Sequence, residues 1–239
     1  MRVLKCSFGA IGALSAVTLL LALAIMLPAF SGKFFEHEFG KNDTYNRIAV
    51  EKPELMCVAR HMIDYLRGKQ ADLSISAVVD GSERQFFDET DVAHMKDVKV
   101  LFTVCRMAAC VSAAMIILAV ILLRKDLMFL LKCIRNTAIT AVCMLAVVVC
   151  AAVINFEAAF VIFHKIFFRN DLWLLDVDKS LLINILPEQF FSDIAVLIGA
   201  LFASSCGLVI VVAIAVKFAT KVKAVDQKHD GSYCNSERN

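Results

Sequence analysis

Residues 8–30 read FGAIGALSAVTLLLALAIMLPAF, twenty-three positions in a row without a charged side chain. A helix of about 20 apolar residues crosses the hydrocarbon core of a bilayer, at a rise of about 1.5 Å per residue. Because backbone groups in lipid must be satisfied within their own segment, a helix is favoured over an open strand. The stretch predicts a membrane-spanning helix.

Three further blocks have the same character. Residues 107–123, 136–156 and 194–216 contain no charged side chain, and the first of them lengthens toward residue 98 if Arg106 is tolerated near its start. The whole chain is 59% hydrophobic, against about 45–50% for soluble domains. These patterns predict an all-α integral membrane protein with four transmembrane helices.

Basic residues between and after these blocks indicate which way the helices face. They are clustered in three regions: the N-terminus (Arg2, Lys5), the short connection between the second and third blocks (Arg124, Lys125, Lys132, Arg135) and the tail (Lys217, Lys221, Lys223, Lys228). Four helices place these three regions on one side of the membrane. By the positive-inside rule that side is the cytoplasm.

The predicted segments follow in chain order. They are transmembrane helix 1 over 1–30, an extracytoplasmic loop domain over 31–98, transmembrane helix 2 over 99–123, a cytoplasmic loop over 124–135, transmembrane helix 3 over 136–163, an extracytoplasmic loop with an interfacial helix over 164–191, transmembrane helix 4 over 192–216 and a cytoplasmic tail over 217–239.

The 31–98 segment has structure of its own. Pro53 opens a run with apolar residues three and four apart, which Gly68 ends, and this spacing predicts a helix. Asp80-Gly81 between two short runs predicts a small hairpin. Thr90 or Asp91 is the expected cap of a helix that continues into the second span. The segment is therefore a small α/β insertion between the first and second transmembrane helices.

Two histidines, His94 and His164, lie at the predicted outer ends of the second and third spans, and therefore at one level. Histidine exchanges protons near neutral pH, which suits acid–base catalysis. Asp97 follows His94 by three residues, so a hydrogen bond between them is expected to fix the imidazole. The alternative is that the two histidines lie at the membrane interface without a catalytic role, and that Asp97 is a solvated charge. His37, His61 and His229 are expected to be solvated.

Two ionisable residues fall within the predicted spans, where such groups are costly and often functional. Arg106 and Glu157 each lie two helical turns from the outer end, about 10 Å deep at 1.5 Å per residue. We expect them to pair, with Asn155 joining the network. The alternative is an ion pair that only fixes the helix bundle.

Several functional classes lack their sequence motifs. The chain has no GxSxG, HExxH, Walker or GxGxxG motif, so serine hydrolases, zinc proteases and nucleotide-driven transporters find no support. No Cys/His cluster has metal-ligand spacing, and no basic stripe alternates with stacking aromatics, so neither a metal site nor nucleic-acid binding is predicted. Spans three and four also lack the Gly or Pro interruptions typical of transporters.

Two long motifs resemble a known family. Residues 91–99, DVAHMKDVK, are similar to its pattern "acid, aliphatic, x, His-Met-x-Asp-Val-Lys", and residues 163–170, FHKIFFRN, resemble its second motif, which continues through 173–176 and 187–191. The family is the bacterial lipoprotein intramolecular transacylase, Lit. One departure is Thr90, where members commonly carry arginine.

The resemblance implies a reaction at the outer face of the bacterial cytoplasmic membrane. The substrate is a lipoprotein whose N-terminal cysteine carries a diacylglyceryl thioether, lying among membrane lipids. Its sn-2 acyl chain moves to the α-amino group of the same cysteine, giving the lyso form, and no cofactor takes part.

The resemblance also implies roles for particular residues. His164 is the principal base and acid, and His94 stabilises the oxyanion or relays a proton, with Asp97 orienting it. Asn170 and Trp173, in the second motif, support the site together with Arg106 and Glu157. The two histidines could exchange roles, or His94 could be structural.

Three other functions compete with the transacylase. The first is a non-enzymatic membrane binding or sensor module, for which alanine at either histidine leaves lipoprotein chemistry untouched. The second is a transporter coupled through Glu157. The third is an acyltransferase that uses a separate lipid donor.

Overall fold

The structure is a computed structural model that describes residues 2–236, with side chains described for residues 2–222. Lys223, Lys228 and His229 therefore lie outside the described side chains. The elements in chain order are α1 (Arg2–Ala29), α2 (Gly32–Lys41), α3 (Thr44–Arg47), α4 (Lys52–Leu66), β1 (Ser76–Val79), β2 (Ser82–Gln85), α5 (Glu89–Leu122), α6 (Leu127–Ile154), α7 (Phe156–Phe167), α8 (Leu181–Ile185) and α9 (Glu188–Ser236).

Four of these helices, α1, α5, α6 and α9, are long and apolar enough to cross a membrane. This confirms the prediction of a mostly helical protein with four such helices and a small two-stranded sheet. The described chain divides into two compact units. The first unit consists of α1 up to Leu20, of Val111–Met144 and of α9 from Ala203. The second unit consists of Leu21–Cys110 and Leu145–Phe202.

The second unit contains the insertion, whose core forms as the sequence pattern predicts. α4 begins at Lys52 with Pro53 in its first turn, and Gly68, at a φ of 80°, follows its end. β1 and β2 pair antiparallel around Asp80 and Gly81, which both have positive φ, as a two-residue hairpin turn requires. The apolar face of α4 packs with the hairpin, α2 and α8 into one buried cluster.

Some local predictions within the second unit are wrong. The prediction for His37 is correct, since its side chain is exposed on α2, where Phe35 and Phe39 are buried one turn apart. His61 was expected to be solvated, but its Nε2 is buried and has no hydrogen-bond partner among the described residues. α5 begins earlier than expected, because Asp88 accepts a hydrogen bond from the Asp91 amide at 2.7 Å and is the true cap.

The predicted third span, 136–163, is divided into two helices. α6 starts at Leu127, inside the segment expected to be a loop, and ends at Ile154. Asn155 is extended, and its side chain accepts a hydrogen bond from the Ala158 amide at 2.9 Å, which caps α7. A helix in this chain can therefore be broken without Gly or Pro, and His164 lies on the separate α7.

The interfacial helix expected within 164–191 is short. α8 spans only Leu181–Ile185 and is capped by Ser180, whose hydroxyl accepts a hydrogen bond from the Ile183 amide. Leu182 and Ile185 are buried in the cluster of the second unit, so packing rather than amphipathicity positions this helix.

Close packing in the first unit gives a test of the fold. A Cβ on Gly12 would lie 2.7 Å from the Ala119 Cβ, whereas a Cβ on Gly207 would meet nothing within 4 Å. We expect Gly12→Ala to destabilise the protein by about 1–3 kcal/mol through overpacking. Gly207→Ala should not lower stability, because alanine favours a helix over glycine by about 1 kcal/mol. Thermal unfolding in detergent compares the two, and equal shifts would contradict the packing.

Candidate active site

His164, in the last turn of α7, has a defined tautomer. Its ring is buried, with 7% of its surface exposed, and its Nδ1 lies 2.8 Å from the carbonyl oxygen of Phe160, one turn earlier. Because a carbonyl oxygen only accepts hydrogen bonds, Nδ1 carries the proton and donates it. Nε2 is therefore the nitrogen with a free lone pair, which is the form that a general base needs.

Aromatic rings surround the His164 imidazole. Trp173 stacks on it with ring centroids 4.8 Å apart and planes at 29°, and the rings of Phe160 and Phe168 lie at 4.1 Å and 5.5 Å. Burial lowers the pKa of His164 below its usual value, and the hydrogen bond to Phe160 opposes this only in part. The imidazole is therefore neutral, and able to accept a proton, at neutral pH.

His94 lies opposite, on the first turns of α5. Its ring centroid is 6.1 Å from that of His164, with the planes at 34°, and Phe168 meets both rings. The side chain is 8% exposed, and Nδ1 has no hydrogen-bond partner among the described residues. Since buried polar atoms are normally paired, this nitrogen lacks the partner that such an atom usually has.

Asp97 does not hydrogen-bond to His94 as predicted. Its carboxylate accepts a hydrogen bond from the Asn170 amide at 2.9 Å instead. Asn170 lies beyond α7, and its own side-chain oxygen accepts from the Leu172 amide at 3.2 Å. The expectation failed because a partner distant in sequence competes for the carboxylate, so Asp97 fixes a loop rather than an imidazole.

The predicted pair of Arg106 and Glu157 is also wrong. Arg106 donates hydrogen bonds to the carbonyl oxygen of Leu66, at 2.7 Å, and to Thr103, at 3.0 Å. Leu66 ends α4, where carbonyl groups lack partners within the helix, and the guanidinium satisfies one of them. Glu157 is exposed in the first turn of α7, and Asn155 caps that helix instead of joining a network.

The groups that hold the His164 imidazole in place were not predicted from the sequence. The contact with the Phe160 carbonyl was predictable from the sequence, because Phe160 lies four residues before His164 on the same helix face. Trp173 was identified as a supporting residue, but its stacking on the imidazole follows from the loop conformation. Phe168, between the two histidines, carried no signal beyond its place in the second motif.

Comparison with solved structures supports the fold. An in meso structure of the membrane integral lipoprotein intramolecular transacylase Lit from Bacillus cereus has a TM-score of 0.78 and 20% identity, and the match covers 94% of this chain and 100% of that one. Structures of that protein with a histidine replaced by arginine or by alanine have TM-scores of 0.74 and 0.73, at 19% and 20% identity, covering 92% of this chain and 95% and 96% of theirs.

Sequence comparison identifies the family. No curated protein sequence matches the chain. The family model described as "Lipoprotein intramolecular transacylase Lit" matches residues 10–191, which is most of the chain. A non-enzymatic binding or sensor module is thereby set aside. The chain belongs to the lipoprotein intramolecular transacylase family, Lit, and is a membrane enzyme with a transacylase role.

Proposed function

We propose that this enzyme moves the sn-2 acyl chain of a lipoprotein's diacylglyceryl-cysteine to the α-amino group of the same cysteine, giving the lyso form. The observation that carries the proposal is the facing pair of imidazoles, 6.1 Å apart, with the His164 Nε2 lone pair free. The family match supports a lipoprotein as the substrate.

His164 supplies the proton transfers. A free α-amino group has a pKa near 8, so the ammonium must first lose a proton to water before its nitrogen can attack. The nitrogen then forms a bond to the sn-2 ester carbonyl carbon, and Nε2 of His164 accepts the proton released. When the tetrahedral intermediate collapses, the ester C–O bond breaks. His164 returns the proton to the departing glyceryl oxygen, which leaves as a hydroxyl.

His94 stabilises the negative charge that develops on the carbonyl oxygen. A buried neutral imidazole carries one N–H, and a donor fixed in place before the reaction needs no reorganisation. The Nδ1 of His94 has no hydrogen-bond partner among the described residues, so it is not committed to another contact. The two histidines receive different roles because their environments differ. The Nδ1 of His164 is already hydrogen-bonded to the Phe160 carbonyl oxygen and cannot also serve the oxyanion.

The reaction takes place at the extracytoplasmic surface of the bacterial plasma membrane. The positive-inside rule supports a cytoplasmic α5–α6 connection, and His94 lies near the other end of α5. The ester of a membrane-anchored lipoprotein lies at this interfacial depth. The acyl donor and the amine acceptor belong to one molecule. Positioning therefore supplies much of the rate, because well-oriented intramolecular reactions reach effective concentrations of about 10⁵ M or more.

The test is mass spectrometry of N-terminal lipopeptides from a host that makes only diacylglyceryl lipoproteins. Expression of the gene should give N-acyl, mono-O-acyl peptide of unchanged total mass, identified by fragmentation. Unchanged diacylglyceryl peptide, with the enzyme present in the membrane, would refute the proposal. A labelled acyl chain arriving from added phospholipid would instead indicate a separate donor.

A further inference from the structure

Two carboxylates flank His94 on α5, and neither of them hydrogen-bonds to it within the described chain. Asp91 lies three residues before His94 and Asp97 three residues after. Each carboxylate instead bonds to one end of the segment that follows α7, residues 168–180, which we call the Trp173 loop.

Asp91 holds the far end of the Trp173 loop. Its side chain is fully buried, and its carboxylate accepts a hydrogen bond from the Ser180 hydroxyl at 2.5 Å. The Asp88 and Leu182 amides donate to it as well. A buried carboxylate without partners is very costly, whereas bonds to a charged acceptor are short and strong. Asp91 therefore fixes the Ser180 end firmly to α5.

Asp97 and Asn170 hold the near end. Their side chains are joined at 2.9 Å, across a long separation in sequence. Asn170 also folds back on the Leu172 amide, which shapes the turn that leads to Trp173. The loop is therefore attached to α5 by one polar link on each side of His94.

Trp173 lies between the two attachments. It is buried, and its indole stacks on His164. Phe168, at the start of the loop, packs against both imidazoles. The helix that carries His94 thus also carries the two anchors of the loop that covers His164.

We propose that Asp91 and Ser180, with Asp97 and Asn170, are positioning residues that clamp the Trp173 loop and so keep His164 buried and aligned with His94. The consequence for acyl transfer rests on the proposed function, whereas the clamp itself does not. Releasing an anchor admits water to His164, which raises its pKa toward the usual value. It also loosens the alignment, and a displacement of about 1 Å can cost on the order of 100-fold in rate.

Trp173 is the only tryptophan, so its fluorescence reports on the loop. A protonated imidazole stacked on an indole quenches its emission, so lowering the pH should quench Trp173 as His164 titrates. Ser180→Ala and Asn170→Ala should move the midpoint of this quenching to higher pH and at least halve its amplitude. They should also slow acyl transfer about ten-fold. Asp178→Asn, an exposed carboxylate in the same loop, is the matched control and should behave as wild type.

Further variants separate a clamp from a general loss of stability. Ser180→Thr keeps the hydroxyl and should preserve the wild-type titration. His164→Asn should abolish the quenching, which assigns it to His164. Wild-type titrations in both Ser180→Ala and Asn170→Ala, even with lowered unfolding temperatures, would overturn the proposal. If the anchors alter the titration but the wild-type enzyme forms no N-acyl peptide, the clamp stands and the proposed function fails.

Discussion

His164→Asn is expected to reduce acyl transfer by about 100-fold to 10,000-fold while the protein remains folded. The asparagine amide occupies the position of Nδ1 and can still donate to the Phe160 carbonyl oxygen, 2.8 Å from Nδ1 in the native ring. No basic atom then stands where Nε2 stood. The substitution therefore removes the proton acceptor while keeping the local hydrogen bond.

The rate of N-acyl peptide formation, followed by mass spectrometry with purified enzyme in lipid nanodiscs, measures this effect. His37→Asn is the matched control, because His37 is exposed on α2 and the same substitution there should leave the rate unchanged. Thermal unfolding should show His164→Asn close to wild type. A variant that keeps a tenth of the rate or more would show that His164 is not the principal base.

The features that sequence predicted well depend on local patterns. The length of an apolar run decides whether a helix can span, and this identified all four candidate spans. Asp80-Gly81 specified the hairpin because its turn needs positive φ at both positions. The break at Asn155 was missed because a single cap inside an apolar run carries no composition signal.

The site was predicted only in part, for a different reason. His94 and His164 were expected to meet because both were placed at the outer ends of spans, and they do meet, although His164 lies on the separate α7 rather than on the third span. The partners of polar side chains depend instead on contacts between distant segments. Asp97 bonds to Asn170, and Arg106 to the end of α4, so helix spacing alone paired each of them wrongly.

Replacing His94 with phenylalanine is expected to lower kcat by about 100-fold to 1,000-fold, the usual loss when one oxyanion donor is removed. A buried aromatic ring is kept, so KM should change little, because the lost interaction forms only in the transition state. His61→Phe is the matched control, since His61 also has a buried ring nitrogen without a partner among the described residues, but lies on α4. Its rate should stay at the wild-type level.

Two amide substitutions then show which nitrogen of His94 acts. Asparagine places a donor near the position of Nδ1, and glutamine places one near Nε2. Because Nδ1 is the nitrogen without a described partner, His94→Asn should retain more activity than His94→Gln, by about ten-fold. The reverse order would move the oxyanion contact to Nε2. A loss below about three-fold in His94→Phe would show that His94 only packs against Phe168, and the oxyanion would need another donor.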